Sequence, residues 1–191
     1  MTSKIFDVSH TIRILLNARL RPLDRASRYE DPLQEALDAQ APGSRVTDGG
    51  TLLSPEREVQ SCDFDIELDG DPDTGLRLVI DTLDALGAPR GSKATVDDRP
   101  WIPFGNNEGV GLYLNGTDLP DEIYATSDVN ELIEQLHARL GDEGSMQSWW
   151  QGPRETALYL YGPSASRMRE LIHDVVATHP LAQQSRLVDL T

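Results

Sequence analysis

The chain has 191 residues, 38% of them hydrophobic and 26% charged, a globular composition long enough for one medium domain or two small ones. Its formal net charge of −15 repels phosphate backbones and anionic lipid, so neither a nucleic acid nor a membrane surface is the expected partner. No apolar run approaches the roughly 20 residues of a membrane span, and a lone cysteine, Cys62, excludes an internal disulfide framework and a cysteine-based zinc site.

The N-terminal stretch from Met1 to Leu20 has apolar character, but Asp7, His10 and Arg13 interrupt it and no small-residue cleavage site follows. It does not read as a signal peptide, and the cytoplasm is the expected compartment. Within it, Ile12, Ile14, Leu16, Ala18 and Leu20 share one face at period two, the pattern of a half-buried strand. Asp31-Pro32 then caps a helix carrying Leu33, Ala36 and Leu37. Val46 to Leu53 and Val59 to Leu68 read as a hairpin turning through Ser54-Pro55-Glu56-Arg57-Glu58. In its second strand Cys62, Phe64, Ile66 and Leu68 face inward and alternate with Asp63, Asp65 and Glu67. Asp73-Thr74 opens a second helix with Leu76, Val79, Ile80, Leu83 and Leu86 inward, stopped at Gly87. Gly91 to Val96 supplies a fourth strand.

Asp97 to Gly109 is rich in Pro, Gly and Asn and forms the natural linker, although Trp101, Ile102 and Phe104 predict that it packs rather than floats. The same order then returns. Val110 to Asn115 is a strand, and Ser127 or Asp128 caps a helix with Val129, Leu132, Ile133, Leu136 and Leu140 that stops at Gly141. Met146 to Trp150 and Thr156 to Tyr161 form a hairpin, Ser164 or Ser166 starts a helix through Met168, Leu171, Ile172, Val175 and Val176, and Arg186 to Leu190 closes. Three landmarks agree in order: Leu16-Asn17 with Pro22 against Leu114-Asn115 with Pro120, Arg57-Glu58 against Arg154-Glu155, and Pro89 against Pro180. The predicted fold is therefore α+β: two ferredoxin-like βαββαβ units in tandem, residues 1–96 and 110–191, joined by a packed linker, 97–109. Each antiparallel-rich sheet is expected to carry its helices on one face and leave the other open.

Two groups of side chains fall on those open faces. Asp63, Asp65 and Glu67 stand in a row roughly 6–7 Å apart, suited either to a basic protein surface or to pairing at home with Arg13 and Arg19 of the adjacent strand. Tyr113, Tyr159 and Tyr161 have outward parity in the second unit, and Trp149 with Trp150 puts one indole on each side of its strand. Aromatics so placed suit a protein interface, or the contact between the two halves. The base-stacking alternative lacks the basic residues it needs. Asp69 to Gly75 resembles the start of a calcium loop, but lacks glycine at the sixth position and the closing glutamate, so a helix cap accounts for it. The four histidines show no ligand spacing, Cys62 reads as an inert core thiol, and no nucleophile elbow or phosphate loop occurs. No cofactor, metal or catalytic residue is expected.

The segments Gly49-Gly50-Thr51-Leu52-Leu53-Ser54 through Ser61-Cys62-Asp63, and Trp150 to Tyr159, resemble those of a family of small acidic bacterial proteins. In size, acidity and α/β character the chain is similar to immunity proteins of bacterial toxin systems. That resemblance implies a non-enzymatic binding protein that masks a basic toxin, with Asp63, Asp65 and Glu67 steering and exposed aromatics anchoring. The alternatives are a small-molecule-binding regulatory module, and an enzyme with a composite carboxylate and tyrosine site. The acidity itself also fits a proteome-wide bias, since its 20 aspartates are balanced mainly by arginine, with only Lys4 and Lys93 as lysines.

Overall fold

The computed structural model of the chain describes residues 9–190. The first unit runs β1 (His10–Leu16), α1 (Pro22–Arg25), a π-helical turn (Ala26–Glu30), α2 (Asp31–Gln40), β2 (Arg45–Leu53), β3 (Val59–Leu68), α3 (Pro72–Ala85) and β4 (Ser92–Val96). The linker contributes β5 (Ile102–Phe104). The second unit runs β6 (Glu108–Asn115), α4 (Asp121–Thr126), α5 (Val129–Leu140), β7 (Ser145–Gln151), β8 (Glu155–Gly162), α6 (Ala165–Thr178) and β9 (Arg186–Asp189). The strand orders are β2-β3-β1-β4-β5 and β7-β8-β6-β9, with every pairing antiparallel. Both units place their third strand beside the first and their fourth on its other side. The chain is thus an α+β tandem of ferredoxin-like units.

Period-two alternation sets the register. Ile12 lies opposite Ile66, Ile14 opposite Phe64 and Leu16 opposite Cys62, and all six are at most 1% exposed. A slip of one residue would turn the whole set into water, so the pairing is strongly specified. Leu33 and Leu37 of α2 and Leu76, Val79 and Leu83 of α3 cover this face. In the second unit Leu112, Leu114, Leu158 and Leu160 pack under Leu132, Leu136 and Leu140 of α5 and Met168 and Ile172 of α6.

Helix ends follow local chemistry. The Asp71 carboxylate accepts from the Thr74 N–H at 2.8 Å and Pro72 occupies the first turn, so α3 starts before the Asp73-Thr74 opening. That capping bond also occupies the acidic loop that resembles a calcium site, and no group of three metal-ligating side chains occurs among the described residues. Asp128 caps α5 and Ser164 caps α6. The first helical region begins at Pro22 rather than Asp31. It continues through the π-helical turn, where Tyr29 is buried, and Arg25 just before it is buried too. Gly49 in the β2 bulge makes room for Arg25, since a Cβ there would lie 2.3 Å from its guanidinium nitrogen; Arg25 donates to the Gly50 carbonyl at 2.6 Å and pairs with Glu30. Of the linker aromatics, Phe104 is buried in the first core, whereas Trp101 remains 44% exposed under the Lys93 ammonium.

One expectation changes. The face of the first sheet opposite its helices is open, but the corresponding face of the second sheet is covered by the first unit. Tyr113, Ala157, Tyr159 and Tyr161 belong to the same buried cluster as Ala18, Leu20, Tyr29 and Cys62.

Candidate functional site

The acidic row lies on the open face of the first sheet, as its parity requires. Glu67 pairs with Arg45 at 2.6 Å, and Asp65 stands opposite Arg13 in the ladder, although the Arg13 guanidinium itself reaches Asp98 at 2.6 Å. Desolvation raises the Asp65 pKa, with Arg13 opposing and Asp63 and Asp48 adding to the rise. Cations supplied by the same sheet thus partly neutralise this row, but not by the arginine pairing expected for Arg19.

Arg19 is elsewhere. It follows the end of β1 and meets the second unit, where its backbone N–H donates to the Tyr161 hydroxyl at 2.8 Å and its guanidinium to the Tyr113 hydroxyl at 2.8 Å. Arg19 and Tyr113 both donate to Glu58 Oε1, and Tyr159 donates to the same oxygen at 2.7 Å. Glu58 is delivered by the tight turn between β2 and β3, in which Arg57 adopts a left-handed φ of 65° and the Ser54 N–H donates to the Glu58 carbonyl at 2.8 Å. The repeat-equivalent Glu155 holds Arg186 through two bonds of 2.8 Å, and the Arg186 guanidinium lies 3.8 Å from the Tyr113 ring centroid. The carboxylate and tyrosines therefore do converge, as the composite-site alternative supposed. They meet inside the junction between units: Tyr113, Tyr159 and Tyr161 are 3%, 0% and 1% exposed. Burial is the main cause that raises all three phenol pKa values, and the Glu58 carboxylate adds to it at Tyr113, pushed up to about 12, and at Tyr159. Tyr113 and Tyr159 donate and Tyr161 accepts within this buried network, withdrawn from any outside partner.

The two tryptophans do split across β7. Trp150 packs into the junction cluster, while Trp149 turns to the helical side and is 37% exposed. There it lines a half-open cavity of about 550 Å³. The cavity exists because α5 starts at Val129, leaving the far ends of β6, β7 and β8 uncovered between Tyr124, Val129 and Ile133. Its walls are mostly apolar, including Leu114, Met146, Leu158 and Leu181, and no charged side chain lines it. Tyr124 is held in place by donating to the Asn115 carbonyl at 3.2 Å and accepting from the Leu119 N–H at 3.1 Å. Gln151 and Thr156 also line it, and their side chains have no hydrogen-bond partner among the described residues. The Arg21 guanidinium lies 4.3 Å from the Trp149 ring centroid. This cavity was not foreseen from sequence.

No protein-family model matches the chain, and no curated protein matches it. Solved structures are similar at low identity. The regulatory subunit of aspartate kinase from Thermus flavus is 15% identical, covering 88% of this chain and 94% of that one, with a TM-score of 0.29. A protein described as a glycine cleavage system transcriptional repressor is 15% identical over 95% of both chains, with a TM-score of 0.32. TiaS, a tRNA agmatidine synthetase solved in its apo form, gives 10% identity over 87% of this chain and 54% of that one, with a TM-score of 0.34. The strand orders β2-β3-β1-β4-β5 and β7-β8-β6-β9 define the fold. Among the described residues no helix is long and apolar enough to cross a membrane.

Proposed function

We propose that the chain is a small-molecule-binding regulatory module whose ligand occupies the cavity of the second unit. One observation carries this reading: a half-open space of about 550 Å³, within the size range of ligand pockets, with mostly apolar walls and two unengaged polar side chains in its lining. With no charge on its walls, the cavity would leave an ionic ligand without a counterion, at a cost of several kcal/mol. The ligand is therefore neutral, largely apolar and presents a polar edge to Gln151 and Thr156. The regulatory part follows from placement. Trp149 lines the cavity and also carries the Arg21 guanidinium of the first unit 4.3 Å from its ring centroid, and the Arg21 N–H donates to Ser148 at 3.2 Å beside it. A ligand that moves Trp149 thereby presses on the junction. The test is a thermal-shift screen of neutral metabolites against the native protein and Val129→Trp, which fills the mouth from an exposed position. Hits that stabilise only the native protein support the reading, and hits of equal size in both oppose it.

A second reading, a protein partner with a basic surface, is favoured by the open face of the first sheet, where Asp63 is exposed and Leu52 is 61% exposed on the neighbouring strand. Its association would slow steeply with added salt.

A further inference from the structure

A second half-open cavity, of about 350 Å³, lies between the corner that joins α4 to α5 and the end of α6, and it shares no lining residue with the apolar one. His179, only 6% exposed, lines it. This residue ends α6 and caps the short 3-10 turn Pro180–Ala182, its Nδ1 accepting from the Leu181 N–H at 3.2 Å. That bond fixes the tautomer. A neutral imidazole with its lone pair at Nδ1 carries its proton at Nε2. The Nε2–H meets no hydrogen-bond partner among the described residues. Nor is it sealed in, because the fully buried, unpartnered side-chain atoms among those residues belong to Arg28 and Gln147. Nε2 thus keeps accessible surface on a ring that is otherwise withdrawn from solvent.

The rest of the lining is rich in acceptors. The Glu131 carboxylate accepts from Gln135 Nε2 at 3.2 Å and meets no cation among the described residues. Gln135 Oε1 is likewise unengaged. Thr126 and Thr178 spend their hydroxyl protons on the Glu122 and Asp174 carbonyls, at 2.7 and 2.8 Å, so each turns lone pairs outward. Ser127 Oγ has no partner among the described residues and can serve either way. These groups narrow the guest by elimination. With its proton on Nε2, His179 has no lone pair there for a metal ion. No lysine or arginine lines the cavity, so a phosphate or carboxylate would face Glu131 without a counter-cation.

We propose that this polar cavity binds a small primary ammonium ion that carries a hydrogen-bond acceptor, at a site separate from the apolar cavity. The acceptor takes the His179 Nε2–H, and the ammonium pairs with Glu131 and donates its remaining protons to Gln135 Oε1 and the threonine oxygens. The net charge of −15 draws such a cation to the surface in the first place. An alkylammonium without an acceptor satisfies the carboxylate and leaves His179 unmet. A phosphorylated amine, as in a lipid headgroup, brings charge that Glu131 repels.

The experiment follows the His179 ring nitrogens in ¹⁵N–¹H spectra of the full chain at mildly alkaline pH, where imidazole is neutral. The signals are assigned by their loss in His179→Asn, whose side-chain oxygen still caps the turn. Without ligand, the ring is expected as the Nε2–H tautomer, and an Nδ1–H tautomer overturns the proposal before any titration. Ethanolamine, ethylammonium and O-phosphoethanolamine are then added at constant ionic strength. A saturable Nε2 shift is expected with ethanolamine, several-fold weaker with ethylammonium and absent with O-phosphoethanolamine. Glu131→Gln, an exposed and near-isosteric change, is expected to weaken ethanolamine binding at least ten-fold. No saturable shift at tens of millimolar ethanolamine, meaning that water alone fills the cavity, overturns the proposal. So does equal binding of ethylammonium or O-phosphoethanolamine, or a response unchanged in Glu131→Gln. The readout is His179, which does not line the apolar cavity, so this proposal and the reading of that cavity fail separately.

Discussion

The Tyr159 hydroxyl donates to Glu58 Oε1 at 2.7 Å, which fastens an interior strand of the second sheet to a hairpin turn of the first unit. The same oxygen takes Arg19 and Tyr113, and Arg186 stacked on Tyr113 extends the set to Glu155, the repeat-equivalent acid. Two copies of one turn thus supply the two carboxylates that order the junction.

Removing members of this cluster separates their roles. Tyr159→Phe leaves Glu58 with two donors and is expected to lower stability by about 1 kcal/mol. Glu58→Ala strands the partly buried Arg19 guanidinium and is expected to cost more, on the order of 3 kcal/mol. Because the two changes share a hydrogen bond, the double variant loses less than the sum. Urea unfolding of all four proteins measures this, and strict additivity would contradict the shared acceptor.

Alkaline pH tests the same junction. Burial raises the phenol pKa values of Tyr29, Tyr113, Tyr159 and Tyr161, and the buried Cys62 thiol is pushed up to about 12. Above the ordinary tyrosine value of 10.0 the unfolded chain releases protons that the folded chain retains. The unfolded state then binds fewer protons, so stability falls as pH rises. For Tyr113 the contribution is intact below pH 10 and is lost by about pH 12. The urea midpoint is expected to decline from about pH 9, near the ordinary pKa of a thiol in an unfolded chain. Tyrosinate absorbance should grow together with loss of near-ultraviolet circular dichroism. Ordinary titration of every tyrosine near pH 10 in a folded protein would count against it.

Cys62 makes a sharper local case. It is 1% exposed and its thiol donates to the Ala18 carbonyl at 3.7 Å, beneath the tyrosine cluster. A thiol so placed reacts only when the chain opens. Ellman's reagent at pH 8 is expected to modify it at a rate that rises with urea and tracks unfolding. Rapid modification in native buffer would show that the junction is not closed.

Much of the architecture was legible because alternation and capping are local signals. Phe64 and Ile66 declare their face by their neighbours, and Asp128, Ser164, Gly87 and Gly141 mark helix ends through backbone chemistry that one residue type satisfies well. Pro22 to Glu30 was not legible. Its apolar stripe is broken by charge, and Arg25 is buried only because Glu30 and the Gly50 carbonyl receive it. Parity marks the shared face of Tyr113, Tyr159 and Tyr161, but the choice between a partner surface and the contact between the two halves depends on how the units dock, which no local pattern records. The repeated Arg-Glu turn is a landmark of the sequence, and the acid within it is what carries the junction. The cavity depends on where α5 begins relative to the sheet beneath it, a packing relation that spacing cannot express.

The cavity remains the centre of the account, and ¹⁹F spectra of protein labelled with 5-fluorotryptophan address it directly. Trp101, Trp149 and Trp150 give three assignable signals, and indole serves as a neutral, flat probe. The signal of Trp149 is expected to move saturably with indole while that of Trp101 stays in place, and Val129→Trp is expected to abolish the movement. A stationary Trp149 signal, or one that moves equally in Val129→Trp, would contradict ligand binding in the second unit.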